Sequence, residues 1–276
     1  MTMTEATKAK HAITRVRHEP RRRLLTVRKV ERLTPNMARV TLAGDLTGFT
    51  SSAYDDHVKV FFPLPGQSAP TIPEQGPNGP VHAEGVERSP SRDYTPRCYD
   101  AARNELVIDF ALHDAGPATD WATRAAPGQQ LGVGGPRGSF VVPDDFDWYL
   151  FIGDETALPA IGRRLEELRA GTQAIVVAAV TGPEEEQAFE SRADVKTIWV
   201  RRPLSQAEDP APLLDAVRAL MLPKTGDGYA WAAGESQTAK LLRRHLIDER
   251  GFDKAWVKAA GYWKRGAVSI HETHND

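Results

Sequence analysis

A single cysteine, Cys98, stands among 276 residues. That excludes an internal disulfide framework and any metal site built on a cysteine cluster, and it suits a reducing compartment. No apolar run is long enough to span a bilayer, so no membrane-inserted helix is expected. The start of the chain lacks the apolar stretch of a secretory signal, and Glu5 and Glu19 interrupt its resemblance to a transit peptide. A cytoplasmic location is the expectation. Net charge is nearly absent: 35 Lys and Arg face 37 Asp and Glu, leaving −2 and no global pull toward nucleic acid or a membrane surface. The dinucleotide fingerprint Gly-x-Gly-x-x-Gly is missing. Gly132-x-Gly134-x-x-Arg137 comes nearest, but it ends in Arg and follows no βαβ strand. No internal repeat is present.

The chain is 41% hydrophobic and 26% charged, an ordinary globular composition with length for two modest domains. The first half predicts short strands over Leu24–Glu31, Ala38–Leu42, His57–Phe62, Arg92–Tyr99 and Leu106–Leu112, then near Leu131–Val133 and Phe140–Val142. That density implies an antiparallel barrel. Residues 66–90 are rich in Gly and Pro and read as an insertion loop.

The second half changes rhythm. Strands are expected at Trp148–Ile152, Ala174–Val180, Thr197–Val200, Tyr229–Ala233 and Ala255–Ala260. Helices at Thr156–Leu168, Pro212–Leu220 and Ser236–Arg250 alternate with them. Such alternation means a doubly wound parallel sheet with crossovers. The change of rhythm falls near Val142–Asp147.

Arg92-Asp93-Tyr94-Thr95, on a strand and followed by Arg97, is the most informative segment. A Tyr ring can lie on an isoalloxazine face, a Thr hydroxyl can bond its reactive edge, and an Arg fork can neutralise phosphate. Gly116–Thr119 is a Gly-Pro turn entering a helix, with Thr119 read as its N-cap. Free amides there suit a pyrophosphate. Gly153–Pro159 opens a helix just after the first strand of the parallel sheet, where ligands of open α/β sheets bind. Asp154 and Glu155 are unfavourable there beside a pyrophosphate unless they point away. Charge is also uneven: Lys8 to Lys29 is strongly basic. It reads as a solvated, partly disordered arm or as a basic rim attracting an anionic substrate. No nucleic-acid recognition motif accompanies it.

Several ordered segments now join these: His57–Phe62, His113–Ala122, Gly135–Phe140, Gly153–Ala160 and Gly261–Gly266. Together they resemble the siderophore-interacting protein family, flavin-dependent ferric-siderophore reductases of the ferredoxin-reductase superfamily. The resemblance runs from about Leu24 to Gly266. It implies a basic N-terminal arm over 1–22, an FAD-binding β-barrel over 23–143, an NAD(P)H-binding α/β domain over 147–266 and a tail over 267–276.

The resemblance also implies site residues. Arg92, Tyr94, Thr95, His113, Gly116, Pro117, Ala118 and Thr119 would hold FAD. Asp154, Thr156, Ala157, Gly234, Glu235 and Trp263 would line the dinucleotide crevice. Arg201 and Arg202 would favour NADPH over NADH by meeting its 2′-phosphate. Lys59, Arg137 and Lys264 or Arg265 would dock the ferric siderophore. Metal ligands are not expected, since the iron arrives wrapped in its chelator. The implied activity passes NAD(P)H electrons through FAD to Fe(III). A flavin reductase or oxygenase partner of the same fold, and a non-catalytic siderophore-binding protein, are the alternatives. The siderophore's identity and the donor (NADPH, NADH or an external ferredoxin) stay open, and a monomer is the expectation.

Overall fold

The computed structural model describes residues 10–76, 79–112, 116–264 and 272–274. In chain order the first half forms β1 (Thr14–Arg17), β2 (Arg22–Thr34), β3 (Met37–Ala43), β4 (Val58–Phe61), β5 (Glu74–Gly76), β6 (Gly79–Val81), β7 (Ser91–Tyr94), β8 (Cys98–Asp100), β9 (Glu105–Ala111), α1 (Pro117–Thr123), β10 (Gln130–Gly134) and β11 (Gly138–Val141). The second forms β12 (Trp148–Gly153), α2 (Leu158–Glu167), β13 (Gln173–Val180), β14 (Asp194–Arg201), α3 (Ala211–Arg218), β15 (Gly228–Glu235), α4 (Ser236–Arg244), β16 (Val257–Trp263) and β17 (Glu272–His274).

Seven strands of the first half form an antiparallel sheet in the order β7-β4-β10-β2-β3-β9-β8. Alternate residues such as Val58 and Val60, or Leu131 and Val133, point inward and are fully buried. Trp121 of α1 closes this core, 5.6 Å from Phe110 and 5.8 Å from Phe62. One strand was expected over Arg92–Tyr99; the structure breaks it at Thr95-Pro96-Arg97. Pro96 has no N–H for a ladder and biases Thr95 toward extended backbone. This short link joins the two edge strands, with the Arg97 amide donating to the Val107 carbonyl at 2.9 Å.

Residues 10–22 do not form the solvated arm of the sequence reading. β1 pairs antiparallel with β11 from Thr14↔Val141 to Arg17↔Gly138. The 66–90 loop likewise contains a short hairpin, β5–β6.

The second sheet runs β14-β13-β12-β15-β16-β17. β12 to β16 pair in parallel and β17 adds an antiparallel edge. β12 is buried throughout, as its unbroken apolar run requires of a strand covered on both faces. α2 covers one face through Leu158, Ile161 and Leu165, while α3 and α4 cover the other through Leu213, Val217 and Leu242. The barrel-plus-doubly-wound architecture is the one the sequence leads to.

The two sheets are joined by polar contacts. Arg163 of α2 donates to Ser51 Oγ at 2.8 Å, the Ser51 carbonyl at 2.9 Å and the Pro96 carbonyl at 2.9 Å. Arg97 pairs with Glu166 at 2.9 Å. Glu185 accepts from the Thr34 hydroxyl and from the Asn36 amide at 2.9 Å. Asp55, in the loop before β4, reaches into the second sheet. Its carboxylate meets Lys258 Nζ at 2.5 Å and accepts from Trp231 Nε1 at 3.2 Å. Trp231 and Lys258 are register partners on β15 and β16, so adjacent strands grip one carboxylate.

Candidate functional site

β7 carries Arg92 and Tyr94 on one face, two residues apart. The Tyr94 ring packs at 4.5 Å on Phe110 and at 6.3 Å on Phe62, and the residue is half-buried. Burial pushes its phenol far up, so it stays neutral and keeps an apolar ring. Arg92 is half-buried and spends one donor on the Ser91 carbonyl at 2.8 Å, leaving most of its fork. Thr95 is buried and shares a side-chain hydrogen bond with the Tyr262 hydroxyl of β16. Burial likewise holds the Tyr262 phenol far up.

α1 begins one turn earlier than the sequence reading places it. Gly116 sits at the N-cap, Pro117 opens the helix, and Thr119 is its third residue rather than its cap. Proline suits a first helical turn, where its missing N–H is no loss, and that outweighs a Thr cap here. No side chain caps this end, so the Ala118 and Thr119 amides are turned outward. His113 lies outside the described residues. The buried Trp121 Nε1 has no hydrogen-bond partner among the described residues. A half-open aromatic face, an Arg fork, uncapped amides and an orphaned indole donor fit a flavin nucleotide.

The carboxyl ends of the parallel strands form a second cluster. Asp154 accepts from Thr156 N at 2.9 Å, Thr156 Oγ1 at 2.5 Å, Glu235 N at 3.1 Å and Trp263 Nε1 at 2.7 Å. Glu155 is buried against Arg202 Nη2 at 2.9 Å. Glu235 accepts from Thr238 N at 2.8 Å, capping α4. The acids that looked hostile to a dinucleotide are therefore already satisfied within the protein. Gly234 has φ +145°, and a Cβ there would meet Asp154 Oδ2 at 2.5 Å, so the turn needs a glycine. Ala157 is buried under Gly153. The buried hydroxyls of Ser236 and Thr238 have no partner among the described residues, a donor set that fits a ligand in this crevice.

Arg202 is not the exposed phosphate fork of the sequence reading, because its guanidinium is buried and committed to Glu155. Arg201 is exposed, pairs with Glu186 at 2.6 Å, and is the one left accessible.

Lys59 of β4 faces away from the barrel core, half-exposed, and donates to Asp93 at 2.7 Å. Arg137 and Lys264 are exposed, with no carboxylate partner among the described residues. Arg265 lies outside them. His57 is uncharged at neutral pH, since burial lowers its imidazole below the usual range. Among the described residues no group of three His, Cys, Asp or Glu could hold a metal. Cys98 is exposed on β8.

Sequence reasoning missed Asp55, Lys258 and Tyr262. One signal was available: two adjacent acids, Asp55-Asp56, stand between the apolar pair Ala53-Tyr54 and the apolar strand that begins at Val58, and both are buried. Their partners lie far along the chain, and no local pattern names them.

An antiparallel barrel with an Arg-x-Tyr-Thr edge, joined to a doubly wound parallel sheet, defines a flavoprotein reductase of the ferredoxin-reductase type. The ferredoxin reductase of carbazole 1,9a-dioxygenase shares this fold, with a TM-score of 0.55 at 16% identity over 89% of this chain and 68% of that one. Residues 26–140 match the siderophore-interacting FAD-binding domain, and residues 146–266 match the siderophore-interacting protein family. The chain belongs to the siderophore-interacting protein family. It is 41% identical to the NADPH-dependent ferric-chelate reductase of Escherichia coli over 90% of this chain and 95% of that one. The ferric vibriobactin reductase ViuB of Vibrio cholerae is 33% identical over 88% of this chain and 90% of that one. Among solved structures, a siderophore utilization protein from T. fusca superposes with a TM-score of 0.86 at 36% identity, over 94% of this chain and 98% of that one.

Proposed function

We propose that this chain is an FAD-dependent reductase that uses NADPH electrons to reduce ferric siderophores, releasing Fe(II) in the cytoplasm. Bound FAD supplies the conversion between a two-electron donor and a one-electron acceptor, which nicotinamide alone does poorly. Arg92, Tyr94, Thr95 and the Gly116–Thr119 turn would hold it. The crevice at Asp154, Thr156, Gly234, Glu235 and Trp263 would take the dinucleotide. Lys59, Arg137 and Lys264 would hold an anionic ferric chelate by charge. Hard oxygen chelators bind Fe(III) far better than Fe(II), so reduction loosens the metal. No acid–base residue is required for electron delivery; proximity and a fixed docking face are.

One observation carries this reading. Consecutive residues at the end of β16 and just beyond it contact the proposed parts of the site: Tyr262 bonds Thr95, Trp263 bonds Asp154, and Lys264 follows at the surface. This supports the reading, because residues proposed for the flavin edge, the dinucleotide crevice and the substrate dock then follow one another at one strand end. No helix among the described residues is long and apolar enough to cross a membrane. The enzyme is read as a monomer, with an external ferredoxin as the alternative electron donor.

The test is anaerobic. Purified protein is mixed with NADPH or NADH, then with ferric chelates and an Fe(II) trap, while flavin absorbance is followed. Bleaching by NADPH and reoxidation by a chelate, with Fe(II) appearing, is expected. Failure of every chelate to reoxidise the flavin overturns the reading. Tyr94→Ala removes the aromatic face and should weaken FAD retention about tenfold, measured by equilibrium dialysis of the coloured protein. Unchanged retention would remove Tyr94 from the site.

A further inference from the structure

Residues 10–22 of the basic N-terminal segment are not used by the machinery above, yet the structure holds them in place. All four residues of β1 are exposed and contribute nothing to a core. Both ends are nevertheless anchored. Upstream, the buried His11 ring stacks at 3.9 Å on Phe146, with Nδ1 at 2.7 Å from Asp145 and Nε2 at 3.1 Å from Asp227. Downstream, the His18 amide donates to the Arg137 carbonyl at 2.9 Å, and its Nε2 lies 2.7 Å from Ser139 Oγ. Gly138 admits this approach: a Cβ there would meet the Val16 carbonyl at 2.6 Å. A strand whose own four residues are all exposed but which is tied at both ends is better explained by what it presents than by what it stabilises.

What it presents is charge, beside residues already assigned to substrate. The turn from Arg17 to Arg22 wraps the loop Gly134–Gly138. Arg17 lies opposite Gly138, the Gly135 amide donates to the Arg21 carbonyl at 3.0 Å, and Arg22 lies opposite Gly134. Gly134 in turn lies opposite Lys59. Arg22, Gly134 and Lys59 therefore form one row across β2, β10 and β4, and directly paired residues point to the same side of a sheet. The two cations sit two strand spacings apart, roughly 10 Å, across a residue with no side chain. The Arg22 stem lies over that glycine, 3.7 Å from where its Cβ would stand. Arg22 donates to the Pro73 carbonyl at 2.7 Å, which fixes the guanidinium without neutralising it. The nearby acids are engaged: Asp93 with Lys59 and Glu19 with Arg21. Arg17 has no carboxylate partner among the described residues and is exposed.

We infer that the Arg17–Arg22 turn is a second wall of the anionic-chelate dock, with Arg17 and Arg22 as specificity-determining residues that select ferric chelates of high negative charge. The inference rests on the proposed function, since Lys59 and Arg137 acquire their role there. Cations held along one side of the sheet, across a residue without a side chain, act together on a multiply charged ligand and only weakly on a neutral one.

The test is direct binding to the full chain, without nicotinamide. Quenching of tryptophan fluorescence is titrated with a trianionic ferric tris-catecholate and with a neutral ferric tris-hydroxamate, at low and moderate salt. Arg17→Ala and Arg22→Ala should each raise Kd for the trianion about 3- to 10-fold and flatten its salt dependence. The neutral chelate should change less than about twofold, and Arg17→Lys should retain trianion binding. Arg17 is exposed, so its replacement reads charge and not folding; circular dichroism checks Arg22→Ala. Unchanged trianion binding in both Ala variants overturns the inference, as does an equal loss for both probes. A wild-type protein that binds neither chelate, although it reduces flavin with NADPH, rejects the substrate reading itself and the second wall with it.

Discussion

Lys258→Met should lower the stability of the folded protein by about 3–5 kcal/mol, the scale of an ion pair broken inside a protein. Lys258 and Asp55 are both almost wholly shielded, with side chains 13% and 4% exposed. Removing the ammonium leaves the carboxylate with Trp231 Nε1 as its one remaining donor among the described residues. An uncompensated buried charge is costly because neither water nor a counter-charge replaces what is lost. Lys258 also lies 4.1 Å from the Phe140 ring centroid, a cation–π contact that adds to the loss. Denaturant unfolding of the variant measures the change. The double variant Asp55→Asn/Lys258→Met should recover much of it, since no naked charge remains. If the single variant costs under about 1 kcal/mol, the pair behaves as a solvated surface bridge and not as an interior one.

Replacing Lys59, Arg137 and Lys264 together by Ala should raise KM for anionic ferric chelates about 10- to 100-fold, while kcat at saturation changes little. Arg137 and Lys264 are exposed, and Lys59 has one partner, Asp93. Folding should therefore survive, and thermal unfolding checks that. The discriminating measurement is a neutral chelate assayed in parallel, whose KM should stay within about threefold. An equal rise for both would mean the three residues shape the site without sensing charge. Lys59→Ala alone also frees the Asp93 carboxylate, so it should weaken anion binding beyond the loss of one cation.

The fold was legible because two periodicities write it plainly. Alternation in Val58-Lys59-Val60 and the unbroken apolar run Ala174–Val180 each permit one strand environment, and both strands occupy it. Element boundaries were less legible where proline and tertiary partners intervene, as at Thr95-Pro96 and at the start of α1. The candidate site was legible in its local parts, the Arg92–Thr95 strand and the Gly153–Pro159 turn. Arg202 was misread because a strand-end arginine looks the same in sequence whether it meets solvent or Glu155. The ordered N-terminal segment was misread for a related reason. Its anchors, Asp145, Asp227 and Ser139, lie more than a hundred residues away, and charge composition alone resembles that of a free tail.

The seam between the sheets is fastened at three separate places, by Glu185 against Thr34 and Asn36, by Arg163 and Arg97 beside α2, and by Asp55 under β15 and β16. Fastenings at three places along the seam oppose a hinge motion of one sheet against the other. Ligands are therefore expected to come and go without the two sheets swinging apart.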